Sequence, residues 1–314
     1  LEGNEVKGVI FESKSGRQAV LGKVVIDSTG DGDLFVAAGA EFDSQLSPKL
    51  RTSMLAMVYW LANVDIKRYD EFKASQPEKH AELIQEIGKF RGFAHFFKDL
   101  LKDQESILWS HPMIPTSDSK DVEELTRVDI NARKRIVKTY EFLKKNMPGF
   151  ERCYIMLTSP QLGTQGGRRI IGEYMLTEKD METDEVFEDT IAVFPNNDNN
   201  EISAKHPAMC IPYRTMVPRS PIENLLVACR AYSTSDSINH HFNIIPFCLC
   251  LGQAAGTAAA IALNSGTTVR KVDYKALQDN LRRQGVLLPE KAESAPEPAP
   301  SAFLRPVEEG AAGA

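Results

Sequence analysis

The first forty residues show the alternating pattern of strands and then one continuous apolar run. "VKGVIFES" and "AVLGKVVID" read as two strands, and "KSGR" between them supplies the turn. The second runs into "VVIDSTGDGDLFVAAGA", Val24 to Ala40: a hydrophobic strand, a small acidic turn punctuated by glycines, and an alanine-rich helix from about Leu34 to Ala40. "SPKLRTSMLAMVYWLANVD" is again apolar and strand-like. From Lys67 to Asp103 the apolar positions recur at three- and four-residue spacing, with Tyr69 and Phe72 in one stripe and Leu83, Ile84, Ile87 and Phe90 in another; Pro77 divides them. The same period predicts a helix over 122–146, with Leu125, Val128, Ile136, Tyr140 and Leu143 inward. "SDSK" offers capping residues before it, and Pro148-Gly149 stops it.

The second half has shorter elements. "CYIMLTSPQLGTQGGRRIIGEYMLT" reads as strand, loop, strand, "EKDMETDEVFED" as an acidic helical surface segment, and "PNNDNNEISAKHP" as a polar loop. "NLLVACR" is a short buried strand. "GQAAGTAAAIAL" is a helix of very small residues ending at Asn264 to Gly266, and "VDYKALQDNLRRQG" is a terminal amphipathic helix. The Pro-, Ala- and Glu-rich stretch over 291–314 is expected to be a disordered tail. No internal repeat is visible.

Composition narrows the class. The 314 residues are 42% hydrophobic and 25% charged, ordinary values for a globular chain with a sizeable core. A net charge of −6 argues against a nucleic-acid or anionic-membrane surface. No apolar run approaches the length of a bilayer span, and the candidate Ile244 to Leu251 is far too short. Cys153, Cys210, Cys229, Cys248 and Cys250 form no C-x-x-C pair and read as thiols of a reducing compartment, the cytoplasm. The chain begins at Leu1 as though in mid-domain, so the natural N-terminus is expected to lie further upstream.

Strand, tight turn and helix in sequence bring backbone amides close to a ligand, but Asp31 and Asp33 would repel phosphate, so a P-loop is excluded. The small-residue helix after "NLLVACR" suits either close packing on a sheet or a helix N-terminus presented to a planar ligand. Taken in order, "VVIDSTGDGDLFVAAGA", "GRRIIGEYMLT", "IPYRTMVP", "NLLVACR" and "GQAAGTAAA" resemble the FAD-dependent oxidoreductase family with a flavin domain of the glutathione-reductase type. The resemblance spans nearly all of residues 1–290.

It implies an α/β fold: a partial FAD-binding, Rossmann-like domain with an inserted α+β substrate domain. The flavin domain would comprise 1–44, with the strand pair and "TGDGD" turn, and 209–290; the substrate or cap domain would be 45–208. The implied cofactor is FAD, with Thr29, Gly30 and Asp31 against it, a carboxylate there suiting ribose or ribityl hydroxyls or capping the next helix. The helix opening at "GQAAG" would aim the amides of Gln253, Ala254 and Ala255 at the flavin pyrimidine ring, favouring reduction by about 0.3–2 kcal/mol. Arg230 would lie near the cofactor, with Cys229 in a place usually held by Gly. The family's G-x-G-x-x-G unit is absent; "GTQGGR" lacks the spacing, so the diphosphate cradle is expected on a missing segment or a partner subunit.

Two departures bear on the reaction. In "SPQLGTQGGRRIIGEY", Gln165 stands where the family commonly has Arg; of the remaining pair Arg168 and Arg169, Arg169 is the one expected to face substrate. In "SINHHFNIIP", His240 and His241 replace small residues, and on a strand one of them would face the ring as a base. Tyr174 and Arg214 are candidate substrate-orienting groups. The expected reaction is hydride removal from a small polar or hydroxylated substrate. The rival readings are a non-catalytic or truncated flavoprotein subunit whose partner carries the βαβ unit and, more remotely, a zinc hydrolase using His206, His240 and His241.

Overall fold

Gly16, at φ +88°, closes the turn between the first two strands. Through it β1 (Gly8–Ser13) and β2 (Gly16–Leu21) pair antiparallel, with Ser13 opposite Gly16 and Val9 opposite Val20. The computed structural model describes residues 1–98, 106–116, 118–196 and 204–289. It divides into two units, Leu1–Gln45 with Arg168 onward, and Leu46–Gly167. The expected insert ran over 45–208, but residues from Arg168 onward join the first unit. β11 (Arg169–Ile170) pairs with β4 (Phe42–Asp43), and β12 (Thr190–Pro195) pairs with β13 (Ala208–Pro212) beneath the helices of that unit. The expected disordered tail over 291–314 lies outside the described residues.

In the first unit the segment read as one strand, "AVLGKVVID", serves two partners. Residues up to Leu21 stay with β1, and β3 (Val25–Asp27) pairs in parallel with β14 (Leu225–Val227). β14 is buried on both faces, as strands of parallel sheets are. Leu225 and Val227 join Val25, Phe35, Ala38 and Ile170, while Leu226 and Ala228 face the other way into the main core. There α7 (Ile245–Ser265) and α8 (Tyr274–Arg283) pack through Phe247, Leu251, Ala254, Ala258, Leu277 and Leu281. The alanines let the α7 backbone come close. Pro246 in the first turn starts α7, and Gly266 at φ +64° ends it.

α7 is thus 21 residues long, because "IIPFCLCL" and the small residues after it form one helix. Contrary to the reading of the apolar runs, it is long and apolar enough to cross a membrane by length and composition, while its inward face lies in the core of this unit. The acidic segment before β12 is helical only over α5 (Glu178–Met181), where Thr177 and Asp180 form a capping box.

Among its described residues the second unit has two antiparallel sheets and three α-helices. β5 (Met54–Ala56) lies between β8 (Met113–Pro115) and β10 (Gly163–Thr164); β6 (Tyr59–Ala62) lies between β7 (Leu108–Ser110) and β9 (Tyr154–Thr158). Pro77 separates α2 (Ile66–Ser75) from α3 (Pro77–Lys89), as its fixed φ and missing N–H require. α4 (Val122–Asn146) has the bounds its period predicts. Val128, Ala132, Ile136 and Leu143 are buried, Leu125 and Tyr140 are packed at the margin, and the cap is Asp121, the residue after "SDSK".

Candidate functional site

β3 and β14 run in parallel with Asp27 opposite Val227, so their carboxyl ends lie side by side. This is where open α/β sheets place ligands. Asp27 is fully buried, and the turn is wound around its carboxylate. Oδ1 accepts from the backbone N–H of Thr29 (3.0 Å) and its hydroxyl (2.7 Å); Oδ2 accepts from the N–H groups of Leu34 (3.1 Å) and Phe35 (3.0 Å). Asp27 thereby satisfies the first turn of α1 (Asp33–Ala37), which has no side-chain bond from its own N-cap residue, Gly32. Sequence reasoning passed over Asp27. The signal was an acid ending an apolar strand, where burial demands several donors.

The glycines of the turn make room for side chains of the chain itself. Gly30 has φ +89°, and a Cβ there would stand 2.6 Å from Nη1 of Arg230; at Gly32 a Cβ would stand 2.0 Å from the Phe35 ring. Arg230 follows β14 and reaches back over Gly30 to Asp31, with Nη2 2.9 Å from Oδ1. That carboxylate oxygen is buried and has no partner in hydrogen-bond geometry. Arg168 closes the other side, donating from Nε to the Asp31 carbonyl (2.7 Å) and pairing with Asp33. Burial pushes the Cys229 thiol up to about 11, so it is protonated at neutral pH. Burial also raises the Cys248 thiol, against the opposing charge of Arg230.

α6 (Asp236–Phe242) is anchored to the same place. Its cap Ser235 accepts from Ile238 N–H, and Asn239 Nδ2 donates to the Arg230 carbonyl at 2.7 Å. His240 and His241 are therefore in the last turn of a helix, not on a strand; the Ser235 cap and the four-residue spacing of Ile238 and Phe242 favour that form. Both rings are half-buried, with centroids 4.9 Å apart and planes at 67°.

A family model for FAD dependent oxidoreductases matches residues 1–281. The chain belongs to that family. Its cofactor is FAD, and the α/β architecture agrees with a fold that binds it. No curated protein matches. Among solved structures, a triple mutant of the flavin-dependent brominase Bmp2 aligns over 90% of this chain at 10% identity and a TM-score of 0.32. The chain spans about half of that enzyme's length, 53%.

Asp31 and Arg230 fit a flavin dinucleotide chemically. A buried carboxylate oxygen lacking a hydrogen bond suits a ligand hydroxyl, and a guanidinium beside it suits an anionic or carbonyl oxygen. Thr29 fits less directly, because its N–H and hydroxyl are spent on Asp27 and its oxygen also accepts from Asp33 N–H.

Other expected site residues of this FAD dependent oxidoreductase have different roles. Arg169 does not face a substrate: its side chain is 2% exposed and clasped by Asp43 (2.5 Å), Asp236 (3.4 Å) and the carbonyls of Gln45 (2.8 Å) and Thr234 (3.1 Å). Asp43 is its cross-strand partner in β4, so the pairing of β4 with β11 turns the guanidinium inward. Gln253, Ala254 and Ala255 do not open a helix. α7 begins at Ile245, so their amides lie within the helix interior; both alanines are fully buried, and Gln253 bonds to Gln284 at 3.0 Å.

Tyr174 and Arg214 are brought together, with the guanidinium 5.7 Å from the ring centroid. Their polar atoms are engaged internally. Tyr174 donates to Asp180 (2.6 Å), while Arg214 binds the buried Asp189 through Nε (3.0 Å) and Nη2 (3.1 Å). Burial, then the Asp180 bond, raises the Tyr174 pKa beyond the physiological range. His206 pairs with Asp184 at 3.2 Å, and no group of three metal-type ligands occurs among the described residues.

Proposed function

We propose that this chain carries the carboxyl-end half of a flavin site of the glutathione-reductase type, in a dehydrogenase that removes hydride from a small polar or hydroxylated substrate. The observation that carries the reading is the meeting of Asp31 and Arg230 at the ends of two parallel strands, 2.9 Å apart. When bound, FAD supplies the two-electron acceptor. Arg230 and Asp31 hold the cofactor's polar atoms, Arg168 braces the turn from behind, and Asn239 ties α6 to Arg230. His240 or His241, half-buried on that helix, takes the substrate's hydroxyl proton.

The 314 residues hold no G-x-G-x-x-G, and among the described residues the parallel sheet has two strands of three residues each. Such a sheet is too small to stand alone. Both facts favour a dinucleotide-binding βαβ unit supplied outside these residues, on the same polypeptide or on a partner.

The test is titration of the chain with FAD, followed by flavin absorbance and fluorescence. Weak binding is expected, and Arg230→Ala should abolish it. Tight, stoichiometric binding that Arg230→Ala leaves intact would overturn the placement. In the completed protein, His240→Ala and His241→Ala are tested singly for flavin reduction by a panel of small alcohols and hydroxy acids. One should slow it by about 10²–10⁴-fold with the flavin retained. Unchanged rates in both would remove the histidine base.

A further inference from the structure

α2 and α3, in the unit 46–167, border a cavity of about 390 Å³, at the small end of the range for ligand sites. Its apolar lining comes from Ile84 and Ile87 of α3, Leu108 of β7, and Phe96. Its polar groups come from Tyr69, Asp70 and Lys73 on α2, His80 on α3, and His95 and Lys98. Tyr69 Oη lies 3.0 Å from His80 Nε2. Burial raises the phenol's pKa; burial, then the charge of Lys73, lowers that of the imidazole. At neutral pH the phenol therefore keeps its proton beside a neutral ring. Lys98 is neutralised by its ion pair with Asp70. Lys73 has no carboxylate in ion-pair contact among the described residues, so the cavity's border carries an uncompensated positive charge.

A cavity with apolar walls and a lysine ammonium on its border calls for an acceptor-rich anion with an apolar body. We propose that this cavity binds a small organic carboxylate, its body on Ile84, Ile87 and Leu108 and its charge at Lys73. None of these residues belongs to the Asp31–Arg230 cluster, so the inference is independent of the flavin reading.

Gly88 supplies the decisive variant. It lines the cavity from within α3, and a Cβ built on it meets nothing within 4 Å. Gly88→Leu therefore places a bulky side chain in open space at the cavity's border while improving helix propensity. The probes are 4-fluorobenzoate, its neutral analogue 4-fluorobenzamide, and hexanoate as competitor, with the whole chain followed by fluorine NMR. Saturable 4-fluorobenzoate binding in the millimolar range is expected, displaced by hexanoate. The benzamide should bind about tenfold more weakly, Lys73→Gln should lose about tenfold, and Gly88→Leu should lose binding with an unchanged melting temperature. Absence of saturable binding, equal affinity for the benzamide, or binding untouched by Lys73→Gln would each overturn the proposal. Should Gly88→Leu not fold, the surface variant Lys73→Gln and the benzamide comparison decide alone.

Discussion

Removing the Asp27 carboxylate should unravel the turn that presents Asp31. In Asp27→Ala the N–H groups of Thr29, Leu34 and Phe35 and the Thr29 hydroxyl all lose their acceptor. Loss of a helix cap alone costs about 0.5–2 kcal/mol. The Phe35 N–H is in a buried setting, and stranding such a donor adds about 1–3 kcal/mol. With the Thr29 bonds included, a total of about 3–5 kcal/mol is expected, a large share of ordinary domain stability.

Asp33→Ala is the control, since Asp33 is also acidic and in the first turn of α1 but 63% exposed; its loss should stay within about 1 kcal/mol. Urea unfolding by circular dichroism measures both. Because the chain has two units, hydrogen exchange over residues 29–38 should locate the loss, with faster exchange of the Leu34 and Phe35 amides in Asp27→Ala. An Asp27→Ala protein within 1 kcal/mol of the parent, with that exchange unchanged, would refute the reasoning.

Arg169→Met should destabilise the first unit by about 3–5 kcal/mol in urea, because Asp43 and Asp236 lose their buried cation; normal stability with slowed catalysis would restore Arg169 to the substrate side. Gly30→Ala should weaken FAD binding far more than Gly3→Ala, since both have positive φ but only at Gly30 does the Cβ strike Arg230; equal FAD titrations would contradict this. Burial pushes the thiols of Cys153, Cys210 and Cys229 up to about 11 from 9.0. Well below pH 9 both states keep these protons. Between about pH 9 and 11 the unfolded chain loses protons that the folded chain keeps, so stability should fall as pH rises, and urea midpoints at pH 8 and 10.5 should show a smaller fall in Cys210→Ala/Cys229→Ala.

The sequence by itself determined the elements whose cause is local. α4 follows from its period and its acidic cap, the α2–α3 break from Pro77, the first hairpin from "KSGR", and the end of α7 from Gly266. The strand-turn-helix at Val24 to Ala40 was legible for the same reason, and the order of motifs pointed to FAD. Tertiary structure decided the rest, because the deciding partners are remote in the chain. Arg169 faces inward since Asp43, Gln45, Thr234 and Asp236 converge on it from two distant segments. The "GQAAG" amides are unavailable because α7 starts well before them, at Ile245, so that they lie inside the helix. His240 and His241 left the strand because α6 could dock through Asp236 on Arg169 and Asn239 on the Arg230 carbonyl. Arg230 lies over Gly30 only once β14 is laid beside β3, a pairing of backbone groups about two hundred residues apart that no local pattern encodes.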